Sequence, residues 1–111
     1  MKQYEIWWAK LPAPVGKRPV LLLSRDPAYR YLEKFLVVEI TTTIRNIPTE
    51  VPLHSREGLS KPCVANCDNI RTVPRDRLTR RVGVLAPERT GELKRAVGRA
   101  LLWKELMDIA E

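Results

Sequence analysis

A chain of 111 residues that is 44% apolar can bury a core without staples, and it is expected to form one domain over 1–111. Twenty Lys and Arg against 13 Asp and Glu leave a net charge of +7, which points to a polyanion partner: nucleic acid, an anionic membrane surface or an acidic protein. No apolar run approaches the roughly 20 residues of a membrane span, and the start, Met1 to Glu5, lacks a signal peptide's apolar segment, so a cytoplasmic protein with no membrane partner is expected.

In chain order, Glu5 to Lys10 reads as a first strand carrying Trp7 and Trp8, and Leu11 to Lys17 as a loop punctuated by Pro and Gly. Alternation sends the two indoles to opposite faces, so one belongs to the core and the other is free to stack a base or pack in a dimer. Val20 to Ser24 is the second strand, with Pro19 at its first residue because proline cannot donate to a ladder. Asp26 is expected to cap a helical turn that starts at Pro27 and runs through Tyr31. The third strand, Phe35 to Thr41, is expected to place Leu36, Val38 and Ile40 on one face and Val37, Glu39 and Thr41 on the other.

Glu50 to Leu53 forms a short strand that Pro52 restricts to a sheet edge, followed by a polar loop from His54 to Lys61. Cys63 to Cys67 and Ile70 to Val73 continue as extended segments. The two cysteines stand about 13 Å apart along a strand, beyond disulfide reach, and with His54 the single histidine a zinc site is not expected. A turn over Pro74 to Leu78 leads to a strand from Arg80 to Leu85. Pro87 then starts a helix whose apolar stripe is Leu93, Ala96, Val97, Ala100 and Leu101. The outline is mainly β (α+β): an antiparallel barrel-like sheet with short helical turns and a C-terminal helix.

Polar side chains suited to holding a phosphate bracket the apolar strands. Arg18 precedes Pro19, which biases it toward an extended backbone, Thr41, Thr42 and Thr43 follow the third strand, and Asn69 and Arg71 follow Cys63 to Asp68. Each residue alone has a plainer reading: an arginine at a strand start is usually solvated or paired, and threonines are good strand formers. Arg71 admits two readings, an RNA contact or an ion-pair partner of Glu39 or Glu50. His54, in a polar loop, reads as exposed.

Five blocks in order, Glu5-Ile6-Trp7-Trp8, Gly16-Lys17-Arg18-Pro19-Val20, Ile40-Thr41, Pro48-Thr49-Glu50-Val51 and Asp68-Asn69-Ile70-Arg71-Thr72-Val73, give the chain a resemblance to the MazF/PemK family from about Glu5 to Leu101. The resemblance implies an SH3-like barrel homodimer, the toxin of a type II toxin–antitoxin module. Such a protein cleaves single-stranded mRNA without metal or other cofactor, leaving 2′,3′-cyclic phosphate and 5′-hydroxyl ends, and is silenced by an acidic cognate antitoxin. By motif, Arg18 and Thr41 fall on the catalytic positions, and Lys17, Thr42, Thr43, Asn69 and Arg71 are assigned to RNA binding. The chain departs from the family in a shorter loop before Lys17, in Ala86 where a helix-capping hydroxyl is usual, and in a helix expected to continue through Leu102 to Glu111. Two other readings of the same fold remain: a noncatalytic gyrase poison resembling CcdB, and an RNA-binding module without cleavage.

Overall fold

In the computed structural model, which describes residues 1–110, six strands form one antiparallel sheet in the order β4-β5-β3-β2-β1-β6. The strands are β1 (Glu5–Lys10), β2 (Lys17–Leu22), β3 (Lys34–Thr41), β4 (Glu50–Leu53), β5 (Cys63–Pro74) and β6 (Leu78–Val84). Three helices accompany them: α1 (Ala28–Tyr31), α2 (Thr90–Leu101) and α3 (Lys104–Met107). The expected mainly-β, barrel-like architecture is the one observed, with β4 at a sheet edge as Pro52 requires.

The sheet curls until its two ends meet through backbone. A single 3-10 turn after β4, Ser55–Glu57, abuts β6 so closely that a Cβ on Gly83 would lie 2.0 Å from the Glu57 carbonyl oxygen. Gly58 completes the contact with φ +86 and no room for a side chain beside the Val82 carbonyl. Inside the curl, Ile6, Leu21, Val38, Ile40, Val51 and Leu85 pack under Leu93 and Ala96 of α2. On the outer face a second cluster of Val20, Leu22, Phe35, Val37 and Val73 is covered by Tyr29 of α1. Both faces of β3 are therefore buried.

That double burial corrects the expected polarity of β3. Val37 is fully buried in the second cluster, whereas Leu36 is 47% exposed, because the inner cluster begins only at Val38. β2 starts at Lys17 instead of Val20, with Pro19 as its third residue: pairing with β3 begins at Val20↔Glu39, so the missing N–H interrupts no ladder. Asp26 does not cap α1; its Oδ1 accepts the Gln3 N–H at 2.7 Å and ties down the N-terminus. The two segments 63–67 and 70–73 are one strand with a bulge, since Glu39 pairs Asn66 while Val38 pairs Ile70. β6 begins at Leu78, two residues before its expected start.

The C-terminus departs further. Pro87–Arg89 is a 3-10 turn without side-chain cap, and the α-helix proper begins at Thr90. Leu101 is 57% exposed, outside the buried stripe. The helix does not continue: Leu102 takes a left-handed conformation at φ 53, and α3 folds back onto α2, with the Leu106 Cβ in the space a Cβ on Gly98 would need. Glu111 lies outside the described residues.

Candidate active site

A cleft of about 460 Å³ opens where β2 begins and β3 ends, and it gathers Lys17, Arg18, Thr41 and Thr42 with Trp8, Ser60, Lys61 and Arg80. Extending the β2–β3 register by two residues from Val20↔Glu39 puts Arg18 opposite Thr41, which explains why residues 23 apart in sequence share a wall. Four cations line the cleft, and none of its lining residues is acidic. Such an arrangement raises the local concentration of polyanions.

Thr41, Lys17 and Arg18 each have a definite tether. Thr41 Oγ1 accepts the backbone N–H of Thr43 at 3.1 Å, so the proton of the Thr41 hydroxyl remains to be donated elsewhere. Thr43 thereby orients Thr41 through its backbone; its own side chain does not line the cleft. Lys17 Nζ sits 5.7 Å from the Trp8 ring centroid, within cation–π range. Arg18 Nη1 lies 3.4 Å from Glu39 Oε1, and a third of its side chain remains exposed.

Two of the expected contacts stand apart from the cleft. Arg71 Nη1 donates to Glu39 Oε2 at 2.9 Å, the first of the two ion-pair options. Asn69 lies in the bulge of β5, exposed. His54 is exposed, and its backbone N–H is held by Glu57 Oε1 at 2.7 Å. The choice between the indoles is resolved: Trp7 packs against the outer cluster and donates its Nε1–H to Glu5, while Trp8 lines the cleft. Both cysteines are free and buried. Among the described residues, no three His, Cys, Asp or Glu side chains are grouped to hold a metal ion.

The profile of PemK-like, MazF-like toxins of type II toxin–antitoxin systems matches residues 2–101. The chain belongs to that toxin family. Endoribonuclease MazF3 of Mycobacterium tuberculosis is 41% identical over 83 residues, covering 75% of this chain and 81% of that protein. Probable endoribonuclease MazF2 of the same organism is 40% identical over 93 residues, covering 83% and 89%. Among solved structures, the Mycobacterium tuberculosis toxin MazF-mt6 superposes with a TM-score of 0.82 at 38% identity over 87% of this chain and 95% of that one. An endoribonuclease in complex with its cognate antitoxin, from a mycobacterial species, follows at 0.80 and 26% identity over 93% and 96%.

In this MazF-like chain, sequence reasoning missed Ser60, Lys61 and Arg80 as cleft residues. No local signal marks them. They arrive through the closure at Gly58 and Gly83, which is a property of the curled sheet and not of any short segment.

Proposed function

We propose that the cleft binds single-stranded RNA and cleaves it by attack of a ribose 2′-oxygen on the adjacent phosphorus. The P–O5′ bond breaks as the O2′–P bond forms, one proton leaves the 2′-hydroxyl and one is taken up at O5′, giving a 2′,3′-cyclic phosphate and a 5′-hydroxyl end. As a member of the toxin family, the chain is an endoribonuclease of a type II toxin–antitoxin system, and the gyrase-poison reading is not favoured. The observation that carries the mechanism is a cleft joining Arg18 and Thr41 among four cations with no acidic residue in its lining.

The nucleophile belongs to the substrate, so the protein's task is alignment and charge stabilisation. Arg18 carries a planar guanidinium fork that engages two phosphate oxygens, which suits it to the pentacoordinate phosphorane. The Thr41 hydroxyl donates a hydrogen bond to a non-bridging oxygen as charge builds there. Lys17, Thr42 and the cations Lys61 and Arg80 hold the flanking phosphates, and Trp8 offers a face on which a base can stack. Neither step requires a metal or a cofactor.

We read residues 1–111 as a single domain acting in the cytoplasm, where its mRNA substrate is, as a homodimer. An acidic antitoxin is its natural silencer: carboxylates on an extended chain suit the same cationic cleft, and a related endoribonuclease has been solved with its cognate antitoxin. The deciding test is to incubate the purified protein with a long single-stranded RNA in EDTA and map the ends. Cyclic phosphate and 5′-hydroxyl ends at recurrent sites are expected; intact RNA, or cleavage only after metal is restored, would overturn the reading.

A further inference from the structure

We propose that Glu39 is the positioning residue of Arg18, and that Arg71 acts on the reaction through Glu39 and not by touching RNA. The proposal rests on Arg18 being the phosphate-binding arginine. Glu39 sits in the middle of the sheet, paired with Val20 of β2 on one side and Asn66 of β5 on the other, with only 9% of its side chain exposed. A carboxylate so enclosed is costly unless paired. Here its two oxygens are divided, Oε1 to Arg18 at 3.4 Å and Oε2 to Arg71 at 2.9 Å.

The topology makes this sharing possible. Arg18, Glu39 and Arg71 come from three adjacent strands on one pleat face, at the margin of the outer cluster. Val37 pairs Arg71, so Arg71 lies diagonal to Glu39 across β3 and β5, and the bulge after Val38 pairs Glu39 with Asn66 where continued register would have put Asn69.

The unequal distances give the two arginines different duties. At 2.9 Å the Arg71 bond has the length of a charge-assisted hydrogen bond and anchors the carboxylate. At 3.4 Å the Arg18 contact is looser: it holds the guanidinium near the cleft yet yields it to a phosphate oxygen. When Arg18 turns to the phosphate, Arg71 still neutralises Glu39, so the buried charge is never stranded. Arg18 thus starts from one place instead of many rotamers, and a misplacement of about 1 Å in a group of this kind costs on the order of a hundredfold in rate.

The test pairs side-chain NMR of 15N-arginine-labelled protein with cleavage kinetics on an RNA fragment that carries one mapped site. In the wild type the Arg18 Nε–H should be more ordered than that of exposed Arg80. Glu39→Gln should free it and lower kcat by about 10–100-fold with KM within about threefold. Arg71→Gln should lower kcat alone and add nothing in the Glu39→Gln background, a coupling that a merely stabilising pair would not show. Arg18 as mobile as Arg80 in the wild type, or an unchanged kcat in folded Glu39→Gln, would overturn the proposal. If Glu39→Gln does not fold, the wild-type and Arg71→Gln spectra decide it. The mobility measurement needs no RNA, so a wild type that fails to cleave would defeat the proposed function while the clamp is judged separately.

Discussion

Two clefts of similar size sit on either side of Cys63, and their charges are arranged in opposite ways. The first, about 460 Å³, holds Lys17, Arg18, Lys61 and Arg80 and no acid in its lining. The second, about 570 Å³, holds His54, Arg56 and Arg89 together with Glu50 and Glu57. There the cations are spoken for: Arg89 pairs with Glu57 at 3.2 Å and Glu92 at 2.8 Å and donates to the Pro52 carbonyl, while Arg56 pairs with Glu88. Arg89 holds Glu92's carboxyl below its ordinary pKa, against the opposing effect of burial. In the first cleft only Arg18 has an ion pair among the described residues, the loose 3.4 Å contact with Glu39, so the net charge of +7 is left available to anions there and largely used up in the second.

That contrast predicts opposite consequences for two arginines. Arg18→Ala should reduce cleavage by about a hundredfold to a thousandfold while thermal unfolding stays near wild type, since Glu39 keeps Arg71. Unfolding and cleavage assays on one preparation check both halves, and full activity in the folded variant would remove Arg18 from the site. Arg89→Ala should do the reverse, costing about 3 kcal/mol of stability because Glu57, 2% exposed, loses its only ion-pair partner among the described residues. Denaturant titration measures that loss; the remaining folded protein should still cleave.

Within the first cleft, Thr41→Val keeps the strand but removes the donor, and should lower kcat by about tenfold or more, whereas Thr41→Ser keeps most activity. Equal rates in the two variants would return Thr41 to the role of a strand residue. Lys61→Ala and Arg80→Ala should each weaken RNA binding modestly and flatten its log–log salt dependence by about 0.7, the share of one phosphate contact on a single strand. A binding titration across salt concentrations reads the slope, and an unchanged slope would take that residue off the RNA path.

The smallest effect belongs to the wall between the clefts. Burial, with Glu57 nearby, pushes the Cys63 thiol above its ordinary pKa, and burial with Asp68 pushes Cys67 up to about 12. The reactive thiolate is therefore scarce near pH 8 and appears only as pH rises well past the usual thiol range. Iodoacetamide should leave both residues unmodified in the native protein and alkylate both in denaturant, with mass spectrometry as the readout.

Much of this molecule is legible in the order of its residues, for identifiable reasons. β1 and β4 keep their expected limits because aromatic and β-branched runs are bounded there by Pro, Gly or charged residues. β3 misleads because alternation assumes one buried face, and this strand has two. The tail misleads because Ala, Leu and Lys favour continuing a helix, whereas the contact at Gly98 makes the reversal at Leu102 the tighter packing. Arg18 and Thr41 are visible from motif, and Glu39 as one of two possible partners for Arg71. Lys61 and Arg80 are invisible for the reason that hides any site assembled by closure: they neighbour the cleft only once β6 meets the turn after β4.

The meeting of that turn with β6 also governs how copies of the chain can crowd together. An open sheet offers its outermost strands as templates on which a stranger can add a strand. Here one end lies against Gly58, and at the other Pro52 has no N–H to offer while its carbonyl is taken by Arg89. Backbone-driven stacking is thereby disfavoured at both ends. Association of copies is then left to side-chain contacts, so substitutions on the surface, and not the shared backbone, would decide which copies pair.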